Sequence, residues 1–461
     1  MASASYRHKM ISAWVPPEQL SARGSALRAA VPVADLTRPG WRDGRGDPVD
    51  LLTASGSDRV AELLPLRYGR MAATPFAFLR GSAAVMAADL ATAPDAGLHG
   101  HVCGDAHAAN FGLYASPERR LVLDVNDFDE TAIGPWDWDL KRLVASVVCA
   151  GRQAGVGDAD ARVAAADCAG AYRGALTELA AMPLLEAYYL TTDHSTLERH
   201  GVTDLAETFD RVRKKARRNT SQRVADKFTT GPHATDWRFI EDPPVLTRPA
   251  ARQVDQVVAA LEEYRGTLDA EIRELVGRYT VVDVAHRVVG LGSVGYRSYV
   301  VLLHGNTDEA LVLQVKQARA SALAGHLPQP SVSHHGERVV RGQRWMQTVS
   351  DILLGWTTIE GLPFLVRQFR DMKGSIDPTE LRPNQLDDYP RMVGLVLARA
   401  HAQSIDPRTL AGFCAGGRGG EEFDAAFADF AMSYADQTEA DHGALVAAIR
   451  SGRLPATTPA G

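Results

Sequence analysis

The chain has 461 residues, enough for two or three domains or for one two-lobed enzyme with helical additions. Its 45% hydrophobic and 23% charged residues are those of an ordinary globular protein in water, and a formal charge of −6 gives no reason to expect a nucleic-acid binder. Four widely spaced cysteines (Cys103, Cys149, Cys168, Cys414) form no CxxC pair, which argues against a disulfide framework or structural zinc and fits a reducing cytoplasm.

The N-terminus, MASASYRHKMISAWVPPEQL, lacks the apolar stretch of a signal peptide. No apolar run approaches the roughly 18 to 20 residues that cross a bilayer, so no membrane partner is expected. Residues 1–54, rich in Gly, Pro and charge, read as a mobile or loosely docked lead-in. From 57 to 92 apolar positions recur at helical spacing, interrupted at Thr74-Pro75. From 98 to 130 short apolar runs bounded by Gly, Pro and Asp predict strands and tight loops. Residues 139–181 return to a long Ala-rich helical pattern.

The run RVRKKARRNTSQR, 211–223, is the one strong basic block; it reads as a solvated helix face or as a contact for a phosphate-bearing ligand. A second β-rich region begins near 281. ERVVRGQRWMQTVSDILLG then reads as a helix, PFLVRQFRD as a strand, and the final ninety residues as helices ending in a frayed LPATTPAG tail.

Three stretches carry chemistry. GLGSVG, with Gly290, Gly292, Ser293 and Gly295, has the G-x-G-x-x-G pattern of two different phosphate-binding devices. In a dinucleotide-binding oxidoreductase the third Gly opens a helix. Here YRSYVVLL follows, which favours a strand, so the loop is expected to join two antiparallel strands as a flap over nucleotide phosphates. The next strand, LVLQVKQA, carries Lys316, placed to reach the α- and β-phosphates.

CGDAHAANFG, 103–112, sets Asp105 and Asn110 five residues apart among small side chains. Phosphoryl transfer needs a carboxylate to orient the attacking hydroxyl, and oxygen ligands for Mg²⁺. Asp105 suits the first role. Asn110 suits the second through its amide oxygen, and the small residues would let the loop turn tightly and leave room for substrate. DVNDFDET offers a second Mg²⁺ ligand: Asp127, with Asp124 and Asp129 as competitors. His107 reads as a packed histidine before a catalyst; no H-x-x-x-H or H-E-x-x-H spacing supports a zinc hydrolase, and no G-x-S-x-G a serine hydrolase.

CGDAHAAN resembles the H-G-D-x-x-x-x-N catalytic loop of aminoglycoside phosphotransferases and choline kinases, with Cys103 in place of the usual His. DFDETAIGPWDWDL is similar to their metal-binding segment, in which a second Asp about a dozen residues on buttresses the catalytic loop. Asp127 and Asp139 stand twelve apart, which favours Asp127 as the metal ligand. LARAHA, 397–402, resembles the helix that in those enzymes runs just ahead of the catalytic loop. Glu337, or Gln343 beside it, would face Lys316 from the following helix. Arg80 would contact a phosphate or cap the loop, and PFLVRQFRDMKG would form the adenine hinge.

The order is permuted, because the flap follows the catalytic loop. That order, together with RMAATPFAFLRG, NDFDET, DLKRL, RVVRGQR, VRQFRDMKGS and YADQTEAD, resembles the bacterial family known as domain of unknown function 2252, from about residue 55 to 450.

The resemblance implies an α+β, two-lobed, protein-kinase-like fold with circularly permuted element order. It would comprise a lead-in (1–54), a large helical lobe (55–280), a small β-rich nucleotide-binding lobe (281–372) and helices completing the large lobe (373–455). The expected activity is transfer of the γ-phosphoryl of Mg-ATP to a hydroxyl of a small molecule, with a protein as the second choice of acceptor. A nucleotide-binding pseudokinase and a kinase-fold adenylyltransferase are the alternatives.

Overall fold

The computed structural model describes residues 15–457, apart from 43, 58, 194, 195, 197, 198, 200, 201, 232–235, 244, 289–294, 308, 329–331, 383, 384 and 416–419. The fold is mixed α+β, with several separate sheets. Its main core is helical. Trp136–Gln153, Asp158–Ala181, Asp388–Ala402 and Glu421–Arg450 pack together, and Trp136 lies flat on Tyr172 with ring centroids 5.6 Å apart. Among the described residues no helix is long and apolar enough to cross a membrane.

The lead-in differs from expectation. Pro17–Ala30 is a helix packed on Pro407–Ala415, and the two cross at glycines. A Cβ on Gly24 would sit 2.0 Å from the Thr409 carbonyl oxygen, and one on Gly412 would sit 2.2 Å from that of Ser21. Buried Arg28 then donates to the Phe413 and Cys414 carbonyls at 3.0 and 2.9 Å. Glycine, counted in the sequence toward a mobile or loosely docked lead-in, here permits close helix approach. At the other end, Thr457 N donates to Pro65 O at 3.0 Å, so the tail is docked as far as that residue.

The larger sheet has six antiparallel strands in the order Gly355–Ile359, Leu362–Gln368, Ala310–Gln317, Ser298–His304, Thr280–Arg287, Leu246–Thr247. Side chains alternate across it, as the period of two requires. Tyr299, Val301, Leu303, Leu313 and Val315 meet the Ala251–Gly266 helix, whereas Val300, Leu302 and Val312 meet Ser221–Phe228. The sheet thus begins at Leu246, and its covering helices at Ser221, ahead of the β-rich region expected from 281. Thr280–Arg287 and Ser298–His304 pair antiparallel, so the glycine-rich stretch leads into a strand, and the dinucleotide-binding alternative loses its basis.

Two small sheets fix the loops of interest. His99–Val102 pairs with Ala132–Pro135, and Phe111–Ala115 pairs with Leu121–Val125. The loops 103–110 and 126–131 therefore bridge the same two strand pairs and run side by side.

Candidate active site

Gly104 explains the tightness of the first loop. It adopts φ +77°, and a Cβ there would meet Glu130 O at 2.3 Å, so any side chain would strain the turn and push the two loops apart. The backbones of Cys103 and Gly104 donate to Asp139 Oδ2 and Oδ1 at 2.7 and 2.9 Å. His401 Nε2 lies 3.2 Å from Asp139 Oδ2, and its Nδ1 lies 2.9 Å from the Tyr172 hydroxyl. Nε2–H therefore donates to the carboxylate, and Nδ1 accepts from Tyr172. Asp139 and the LARAHA helix thus hold the loop, across 262 residues of sequence.

Asp105 is only partly buried by its neighbours, but one oxygen is taken: Arg142 Nε donates to Oδ1 at 2.6 Å. Arg142 also donates to Leu79 O at 2.7 Å, so it is a fixed partner, and the sequence reading missed it. Burial pushes the Asp105 carboxyl above the usual carboxylate range, against the opposing pull of Arg142. His107 is packed, edge-on to Phe76 at 6.4 Å, with Nε2 3.8 Å from Asp105 Oδ2. Burial, with Arg80 and Arg142 nearby, pushes its pKa well down and keeps it neutral. Ala106 and Ala108 are buried in the core, so their small size serves packing and opens no space for a substrate.

Asn110 Nδ2 donates to Asp105 O and Asp127 O at 3.1 and 3.2 Å, which leaves the amide oxygen as its ligand atom. Of the three candidate acids, Asp124 is buried in a pair with Arg399, whose Nη2 lies 2.7 Å from both carboxylate oxygens. It anchors the LARAHA helix and is not open to a ligand. Asp127 is different. Burial opposes its ionisation, but Lys316 and Arg367 hold its carboxyl below the usual range.

Lys316 leaves the sheet on the face opposite Val315 and pairs with Asp129. Glu337 pairs instead with Arg341 one turn along its own helix, so the structure does not bring it to Lys316. Gln343 Nε2 donates to Gln347, whose own amide donates to Val125 O at 2.7 Å. From the same helix it is Arg338 that reaches the acidic loop, donating to the carbonyls of Asp129, at 2.7 Å, and of Thr131.

Gly290, Gly292 and Ser293 lie outside the described residues. Gly295 has φ +95°, and its carbonyl accepts from Val60 N at 2.8 Å. Arg80 stacks its guanidinium 5.9 Å over Phe76, near Asp105. Lys373, also missed, is pushed down to about 7 by burial and by Arg367, with Asp351 and Asp127 pulling the other way. Among the described residues no group of three or more His, Cys, Asp and Glu side chains gathers as a metal-binding cluster.

No solved structure matches the chain. A 160-residue stretch is 27% identical to a histidinol-phosphate aminotransferase of Granulibacter bethesdensis; it covers 34% of this chain and 41% of that one. The chain thus spans about two fifths of the length of that curated relative. Residues 59–448 match the family described as "Uncharacterized protein conserved in bacteria (DUF2252)". The chain belongs to the DUF2252 family.

Proposed function

We propose that the chain is a Mg-ATP-dependent phosphotransferase with a two-lobed, kinase-like fold in permuted order, acting on a hydroxyl of a small molecule. One observation carries this reading. The loops 103–110 and 126–131 run side by side, and Lys316, from a distant sheet, meets them at Asp129 beside Asp127. The permutation is supported by the Asp388–Ala402 helix, which comes late in the chain yet holds Asp139 and Asp124 through His401 and Arg399.

The donor set fits Mg²⁺, which favours hard oxygen ligands: the Asn110 amide oxygen and an Asp127 held ionised. Mg²⁺ bound there would neutralise charge on the phosphates. Lys316 would hold phosphate oxygens, with Gly295 at the end of the flap. Asp105, oriented by Arg142, accepts the hydrogen bond of the substrate hydroxyl and then its proton, a task that a raised carboxyl pKa assists.

The Arg142–Asp105 pair favours a second reading, a nucleotide-binding regulator, because an engaged carboxylate is a poorer base. Incubation with Mg-ATP and a pool of hydroxylated small molecules, followed by mass spectrometry, separates the two. A phosphorylated product that vanishes with Asp105→Asn supports phosphoryl transfer, and an adenylylated product replaces it with adenylyl transfer. Bound nucleotide with no product leaves the regulator.

A further inference from the structure

Away from the acidic loops, the basic run 211–223 opens onto a cavity of about 670 Å³. Arg211, Lys214, Lys215 and Arg218 follow the i, i+3, i+4, i+7 spacing that puts side chains on one helix face. Arg223 and Lys227, four apart on the next helix, face the same space. Arg370 adds a seventh cation from the segment after the Leu362–Gln368 strand. Asn219 lies among them and joins the walls: its Nδ2 donates to Lys373 O at 2.9 Å, and its carbonyl accepts from Met372 N at 2.8 Å.

Folding alone does not account for this arrangement. Like charges four apart on a helix destabilise it, and three such pairs occur here: Arg211 with Lys215, Lys214 with Arg218, Arg223 with Lys227. Cations in the last turn gain from the helix dipole, but Arg223 sits in the first turn, where the dipole opposes it. Among the described residues none of the seven is paired with a carboxylate, in a chain that carries 56 acidic against 50 basic side chains. The nearby acids are turned elsewhere, Asp210 to Arg213 and Asp226 to Gln222. Arginines on other faces, such as Arg45 and Arg173, meet aspartates.

The geometry points to a binding site for a small molecule carrying several phosphates, held by Lys and Arg from both helices and by Arg370. Three converging chain segments make a concavity of drug-ligand size, which suits a compact polyanion better than an extended strand or a flat surface. The site borders the segment expected as the adenine hinge, which supplies Arg370, but it uses none of Asp105, Asn110, Asp127 or Lys316 and does not depend on that reading.

The test is calorimetric titration of sodium tripolyphosphate, without divalent cation, into four full-length proteins. These are the wild type, Lys316→Ala, Lys214→Ala/Lys215→Ala/Arg218→Ala, and a charge-matched control with the exposed Arg23, Arg252 and Arg278 changed to Ala. The expected result is binding to the wild type, to Lys316→Ala and to the control, weakened about tenfold or more in the groove variant. Silence from the wild type, or equal weakening in groove variant and control, overturns the proposal. Vesicles containing phosphatidylinositol bisphosphate form a second arm: uptake that needs the same three cations, alongside tripolyphosphate binding, supports the shared phosphate chemistry. Uptake of vesicles, or of a single-stranded oligonucleotide, without tripolyphosphate binding overturns it in favour of a membrane or nucleic acid.

Discussion

The acidic loops and the basic groove handle charge in opposite ways. Around the loops, buried and partly buried charges are answered: Asp124 by Arg399, Asp139 by two backbone amides and His401, Asp105 by Arg142, and Asp129 by Lys316. In the groove, seven cations share a cavity without a carboxylate partner among the described residues. A buried charge must be paired to be tolerated at all, so the loops report what folding demands. A solvated charge costs little, so the groove is free to report on a ligand.

The largest effect should come from breaking a buried answer. Arg399→Ala strands the Asp124 carboxylate and is expected to cost about 3–5 kcal/mol in urea denaturation, whereas Arg218→Ala in the groove stays within about 0.5 kcal/mol. A cost for Arg399→Ala below that of Arg218→Ala would erase the contrast.

Gly104→Ala comes next. It forces a side chain into φ +77° against Glu130 and should cost about 1–3 kcal/mol, with loss of Mg-ATP binding as the two loops separate. A variant of wild-type stability would show that the loops are not wedged together.

Lys373 gives a smaller, pH-dependent effect. Its folded pKa, near 7, lies below the unfolded value of about 10.4, so between these values the unfolded chain binds the extra proton and stability rises with pH. Melting temperatures from pH 7 to 9 should therefore climb more steeply for the wild type than for Lys373→Met; parallel curves would show that the fold does not depress the Lys373 ammonium.

The smallest effect belongs to Glu337→Gln. It should leave Mg-ATP affinity unchanged and stability within about 0.5 kcal/mol, because the partner of Glu337, Arg341, is more than half exposed and the pair is screened by water. A clear loss of affinity would restore Glu337 as the partner of Lys316.

Much of the layout was legible in the sequence. Thr74-Pro75 marks a helix start, with the Thr74 hydroxyl accepting from Ala77 N at 3.1 Å, and YRSYVVLL is the strand that its β-branched and aromatic residues predict. Asp139 stands twelve residues after Asp127 and does hold the 103–104 backbone. What stayed hidden depends on direction in space. Helical periodicity does not say whether Glu337 or Arg338 faces the acidic loop. Nor does it say that Arg142, in a buried helix, turns toward Asp105. The docked helix at 17–30 was missed because Gly24 acts through contact with Gly412, nearly four hundred residues away.

The central claim, a nucleotide held between Lys316 and the acidic loop, is tested most directly by calorimetric titration of Mg-ATP into the wild type, Lys316→Ala and Asp127→Ala. The account predicts binding to the wild type that weakens about tenfold or more in both variants, consistent with lost charge-assisted contacts. No binding of Mg-ATP or Mg-GTP to the wild type, or undiminished binding in both variants, would contradict it.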